Sequence, residues 1–270
     1  MTSFEFPGAY YEIMRKDFRD LAAETRLLAS WLPPGGSALD LGCGTGSNLR
    51  ELAGLGYRGV GVDQSAAFTE HANAVPVEGL RFVRARAETF TTDERFDLVY
   101  SLFLTLNQLP RAELPAVLRR MRALLKPGGH VLLEFGPVGG GFGGIGVYGG
   151  GVGGGAAGSL GGTDAFGGSQ TIDHHRAGGV LVTRLARRAA AATEACWRGE
   201  ETLLIRDEQG QLALYENVVE EAVLTRREVA GLLAGAGLAA VAEYGGFHKE
   251  PAPLHGQGPL VVVATEVSAR

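Results

Sequence analysis

Residues 37–54 admit few readings. Ser37-Ala38-Leu39-Asp40-Leu41 is a short strand, Gly42-Cys43-Gly44-Thr45-Gly46 is a turn, and Ser47 to Ala53 opens a helix that ends at Gly54. Glycine leaves room for close backbone approach, and the helix that follows offers free N–H groups to a ligand. A second strand, Gly59 to Val62, completes the unit and ends on Asp63. The alternation continues with a helix over Ser65–Asn73 and strands over Arg81–Arg84 and Phe96–Ser101. A helix over Leu114–Leu125 then turns at Pro127-Gly128-Gly129 into a strand over His130–Phe135. Alternating strands and helices predict an α/β fold with a doubly wound, mostly parallel sheet.

Upstream, Ile13, Met14, Phe18, Leu21, Leu28 and Trp31 recur at helical spacing and predict one helix from Tyr10 to Trp31. Downstream the glycines change the pattern: residues 136–168 hold 18 of the chain's 42. They have no three-residue period, so collagen is excluded. The tract is read as a linker or a lid, with Phe142, Ile145, Val147, Tyr148 and Phe166 as contact points for a lid. Thr171–His175, Val180–Ala190, Thr193–Arg206 and Gln211–Leu224 read as strands of an inserted antiparallel β subdomain. Thr225 and Glu228 form a capping box, and Leu238–Tyr244 and Leu260–Thr265 return to the first sheet as a C-terminal antiparallel hairpin. The expected organisation is an α/β domain from 1–135 and 225–270, the glycine-rich segment 136–168, and the insertion 169–224.

The glycine turn decides between ligands. A dinucleotide fingerprint needs G-x-G-x-x-G, which puts its third glycine at position 47; Ser47 stands there and the third glycine is Gly46. Asp63, 21 residues beyond Gly42, is placed to accept both hydroxyls of a ribose. For Asp40 and Asp63 the competing reading is a turn or helix-cap carboxylate.

LDLGCGTG (39–46), GVDQS (61–65), FDLVYSLFLTLNQL (96–109) and LLKPGGHVLLEF (124–135) resemble, in order, the motifs of class I S-adenosylmethionine-dependent methyltransferases. The later part is similar to glycine N-methyltransferases and sugar-amine N,N-dimethyltransferases. The resemblance implies a Rossmann-like methyltransferase fold with S-adenosylmethionine as cofactor and S-adenosylhomocysteine as product. It implies that Gly42, Cys43, Gly44 and Gly46 wrap the methionine half and that Asp40 meets its ammonium. Asp63 would take the ribose, Gln64 would flank the adenine, and Ser101 and Leu102 would offer backbone contacts to the ammonium. Arg86 stands where the family usually has Asp, and a guanidinium cannot accept from the adenine amino group. That leaves Glu88 or a backbone carbonyl to accept, with Ala87 N–H meeting the ring.

Methyl transfer from a sulfonium needs alignment more than activation, and only a hydroxyl acceptor gains much from a base. Candidate catalytic residues are His248, His174 and His175, adjacent on one strand, and Tyr11, which with Tyr10 would close over the cofactor; Glu134 is a weaker site residue. Asp173-His174-His175 also reads as a metal cluster, but no third ligand is placed and no metal is expected. The Asn/Asp-Pro-Pro-Tyr turn of amide and adenine methylating relatives is replaced by Tyr100-Ser101-Leu102-Phe103. With a net charge of −5, this argues against nucleic acid and for a small-molecule methyl acceptor. Two cysteines make no disulfide framework, no signal peptide or apolar span is evident, and the cytoplasm is expected. A homodimer is left open. The competing functions are a cofactor-binding protein that regulates or runs another reaction, and a nicotinamide oxidoreductase.

Overall fold

The computed structural model describes residues 5–136, 160–163, 169–190, 195–252 and 259–267. It opens with two helices, α1 (Gly8–Phe18) and α2 (Leu21–Ala29), in place of the single helix expected. The break is local chemistry. Arg19 adopts an extended backbone, and the Asp20 carboxylate accepts the Ala23 N–H at 2.9 Å, capping α2 as a new helix.

The first α/β stretch then runs β1 (Ser37–Leu41), α3 (Ser47–Gly54), β2 (Arg58–Asp63), α4 (Ala66–Asn73), β3 (Leu80–Arg84) and β4 (Phe96–Ser101). A short 3-10 turn (Thr105–Gln108), α5 (Leu114–Ala123) and β5 (Leu125–Phe135) follow. β5 starts earlier than the Pro-Gly-Gly turn predicts, because Leu125 already pairs with Phe96 before a register shift.

The second sheet comprises β6 (Leu160–Thr163), β7 (Ser169–Ala177), β8 (Val180–Ala190), β9 (Cys196–Arg206) and β10 (Leu212–Ala222). Its order is β10-β9-β8-β7-β6, and all its pairs are antiparallel. It therefore takes in a four-residue strand from within the glycine tract. Phe142, Ile145, Val147, Tyr148 and Phe166 lie outside the described residues. The chain closes with α6 (Arg226–Gly235), β11 (Leu238–Tyr244) and β12 (Leu260–Glu266). The capping box of Thr225 and Glu228 is present on α6.

The main sheet has the order β11-β12-β5-β4-β1-β2-β3, parallel from β5 to β3 and antiparallel at β12 and β11. This is the doubly wound Rossmann-like methyltransferase fold. Both faces are covered, so β1 and β12 are almost wholly buried. Alternate residues go to opposite sides. Leu39, Leu41, Val60, Val99 and Leu133 pack with α5 and α6, whereas Ala38, Leu98, Tyr100 and Leu132 pack with α2 and α3. A third cluster joins the sheets: Phe6, Met14 of α1 and Phe68 of α4 meet Val182, Leu203 and Ile205 of the second sheet. No helix among the described residues is long and apolar enough to cross a membrane.

Candidate active site

Strand order reverses between β1 and β4, and the crevice beyond their carboxyl ends is where open α/β sheets bind ligands. A cavity lies there, lined by the glycine turn, the ends of β2 and β4, the 85–88 turn, and α1 from above.

The turn needs its glycines. Gly42 has φ +84°, and a Cβ on it would sit 2.4 Å from the Thr105 side chain. Gly46 has φ +82°, and a Cβ would meet the Phe82 ring at 2.4 Å. Gly46 thus lets α3 pack closely, and it does not line the cavity, whereas Gly42, Cys43 and Gly44 do. Burial pushes the Cys43 thiol well up, so it is a neutral filler of the loop.

Two carboxyls define the floor. Asp63 Oδ2 accepts Gly44 N–H at 2.8 Å and Oδ1 accepts Ser65 N–H at 2.9 Å. Burial raises its pKa, and these N–H bonds pull the other way. The Gln64 N–H adds a third backbone bond to the same carboxylate. Asp40 is 3% exposed, and the buried Tyr100 phenol is its hydrogen-bonding neighbour. Burial first, with the neighbouring Asp63 charge adding to it, pushes its pKa up to about 8, against the influence of the adjacent Tyr100 phenol.

The Arg86 guanidinium pairs with the Glu88 carboxylate, and Ala85, Ala87 and Glu88 line the cavity. Gln64 and Leu102 line it as well. Ser101 does not; its hydroxyl donates to Leu41 O at 2.7 Å and ties β4 to β1 behind the site.

Tyr11 lines the cavity, with its ring 5.0 Å from that of Phe68. Burial raises its pKa far above the ordinary phenol value, so it serves as a donor or packing group and not as a base. None of the three histidines is among the residues that line this cavity. His248 is more than half exposed and pairs through Nε2 with Asp20 at 3.1 Å. His174 points to the outer face of the second sheet, bonding Thr183 Oγ1 at 3.0 Å. His175 faces inward and is buried, where it joins Asp17 of α1 at 2.6 Å. Alternation along β7 explains the split. Among the described residues no group of three His, Cys, Asp or Glu side chains could hold a metal.

A buried ionic network was not visible in the sequence. Arg15 donates to Glu24 at 2.9 Å and to Asn48 at 3.0 Å, and Asn48 donates to Glu24 at 2.7 Å. Arg19 donates to Glu24 at 2.5 Å and forms a two-pronged pair with Glu134 at 2.8 and 2.9 Å. Periodicity assigns arginines on an N-terminal helix to solvent. Only the break at Asp20 turns Arg19 inward. Glu12 fastens α1 to the turn by accepting from the Thr45 and Ser47 hydroxyls.

Residues 38–129 match the family described as methyltransferase domain. Trans-aconitate 2-methyltransferase of Deinococcus radiodurans is 35% identical over 132 residues, which are 47% of this chain and 48% of that enzyme; the chain thus spans about half the length of this curated relative. An S-adenosylmethionine-bound amino pentose methyltransferase from Micromonospora echinaspora is 26% identical, with 98% of each chain covered and a TM-score of 0.65. A sugar N-methyltransferase from a Streptoalloteichus species shares the fold at 22% identity and a TM-score of 0.69, covering 98% of this chain and 96% of that one.

Proposed function

We propose, from the premise that this chain carries a class I S-adenosylmethionine-dependent methyltransferase domain, that it transfers a methyl group to a nitrogen or oxygen nucleophile of a small metabolite. The cofactor of this family supplies an activated methyl on a sulfonium. The residues fit it. Asp40, a carboxyl that lines the cavity and is buried with only the neutral Tyr100 phenol named as its hydrogen-bonding neighbour, is the observation that carries the reading. Its ionised form is costly in such a place unless a cation meets it, and the cofactor's ammonium would be that cation. Asp63, oriented by backbone N–H groups and lining the cavity, would accept the ribose hydroxyls. Ala87 and Glu88 offer a backbone donor and a carboxylate to the adenine edge.

The chain's own work is binding, alignment and exclusion of water. Tyr11 of α1 and Phe103 both line the cavity, with ring centres 6.5 Å apart. The acceptor's lone pair attacks the methyl carbon, the carbon–sulfur bond breaks with its electrons going to sulfur, and an amine acceptor then gives its proton to solvent. None of the histidines expected as bases stands at the cavity, which favours an acceptor that brings a free lone pair.

Calorimetry with S-adenosylhomocysteine tests the cofactor. Binding is expected, and Asp63→Ala should weaken it ten- to a hundredfold, the ~1.5–3 kcal/mol of a charge-assisted hydrogen-bond pair. Absence of binding by the intact chain would overturn the reading. Incubation of S-adenosylmethionine with a panel of small amines, alcohols and carboxylic acids, followed by mass, identifies the acceptor. Cofactor binding with no methylated product across the panel would favour a regulatory or other use of the cofactor.

A further inference from the structure

Strand β4 runs into two consecutive non-glycine residues in the left-handed region, Phe103 at φ 52° and Leu104 at φ 58°. L side chains seldom adopt this conformation, and it persists only where surrounding groups impose it; such places concentrate at active sites. Here the groups are identifiable. The Phe103 N–H donates to Glu134 Oε2 at 2.7 Å. The same carboxylate is held by both terminal nitrogens of Arg19. The Arg19 guanidinium lies 5.1 Å from the centre of the Phe103 ring and 5.0 Å from that of Phe247. Phe18 stacks on Phe103 with centres 5.6 Å apart and planes 17° from parallel.

Glu134 is fully buried and Arg19 nearly so. A buried ion pair contributes little net stability compared with apolar residues of the same shape, because both charges lose their water. What it contributes is geometry, since the planar guanidinium fixes the carboxylate along two parallel bonds. Both Glu134 oxygens are engaged in this way, so it is poorly placed to serve as a general base. Arg19 and Phe103 both line the cavity. Through Glu24, Arg19 is also joined to Arg15 and Asn48, beside Asp40.

We propose that the Arg19–Glu134 pair is a positioning device for methyl transfer: it holds the left-handed Phe103–Leu104 turn so that the Phe103 ring forms the wall against which the acceptor is aligned. This rests on the methyltransferase reading. Glu134 and Arg19 act through Phe103 and are positioning residues.

Three variants test it. Glu134→Gln keeps an oxygen for the Phe103 N–H and loses the charge that orders Arg19. Arg19→Lys keeps the charge and loses the planar fork. Phe103→Leu removes the ring. With an acceptor found in the panel above, Glu134→Gln and Arg19→Lys are each expected to lower kcat tenfold or more. The Kd for S-adenosylhomocysteine should stay within about threefold. Glu134→Gln combined with Phe103→Leu should be no slower than Phe103→Leu alone, because the carboxylate acts through that ring. A readout needing no acceptor is fluorine NMR of para-fluorophenylalanine at position 103. One sharp line is expected in the parent protein, and a shifted or broadened line in Glu134→Gln that remains folded by circular dichroism.

Losses that multiply in the double variant, or a fluorine line unchanged by Glu134→Gln, would overturn the proposal. So would equal losses in kcat, cofactor affinity and Tm, which mark a merely structural pair. Failure of the methyltransferase reading shows separately, as no S-adenosylhomocysteine binding by the parent chain.

Discussion

Asp40 shows how one residue can link pH, stability and ligand. With its pKa pushed up to about 8 by burial, the folded ligand-free protein holds a proton there at neutral pH that the unfolded chain has released. The folded state binds more protons than the unfolded one between about pH 4 and 8, so this group's contribution to stability falls as pH rises through that window. An ammonium requires the ionised form, so cofactor binding should expel the proton. Affinity for S-adenosylhomocysteine should rise by up to about tenfold per pH unit from pH 6 towards 8, where the ligand's α-ammonium is still charged, and then level off. Calorimetry in buffers of different ionisation enthalpy measures that proton directly. Asp40→Asn should abolish the slope, weaken binding, and flatten the loss of ligand-free Tm between pH 6 and 8. A pH-independent affinity in the parent protein would place the ammonium elsewhere.

The elements were legible where a residue's role is set by its neighbours in the chain. The turn from Gly42 to Gly46, the strand ending in Asp63 and the capping box at Thr225 all have short-range causes, and all appear within a residue or two of where the sequence puts them. The N-terminal helix was misread because apolar spacing carries on across residues 19 and 20, while the break depends on a polar cap. Asp20 heads the sequence Asp-Leu-Ala-Ala, and its side chain takes the Ala23 N–H. That pattern was present and was outweighed by periodicity. Asp20→Ala should therefore cost about 1 kcal/mol, lowering the urea midpoint at unchanged slope. The His248 pair at the same carboxylate is exposed and adds little. Because the Ala23 N–H bond holds the Asp20 pKa below its ordinary value, this contribution is present at neutral pH and lost as pH falls below about 4. A variant as stable as the parent at pH 7 would mean that the break is set by packing of Arg19 and not by the cap.

At the scale of the whole molecule the glycine excess divides by function of the backbone. In the turn it allows left-handed backbone packed closely against Thr105 and Phe82, whereas in Leu160-Gly161-Gly162-Thr163 it leaves a strand with no alternating pattern to read, whose place is set by backbone pairing with Ser169 to Ile172. The same limit hid the contact between the sheets, which is long-range and made by a helix. Glu12 on one side of α1 takes the Thr45 and Ser47 hydroxyls of the cofactor turn. On another side Met14 packs, with Phe6, onto Val182, Leu203 and Ile205. Phe6 is 1% exposed and meets Phe68 edge-on at 5.5 Å. One short helix thus touches both the glycine turn and the second sheet. Ordering the turn with S-adenosylhomocysteine should slow amide hydrogen exchange in α1 and, beyond it, around Val182 in β8 and Leu203–Ile205 in β9. Phe6→Ala, costing about 3–5 kcal/mol if the site relaxes little, should erase the distant part of that protection while cofactor still binds at the turn. Protection confined to residues 38–129 in the parent protein would show that the sheets respond separately; protection reaching β9 in Phe6→Ala would move the coupling from this helix to another route, through Asn107 and the end of β10.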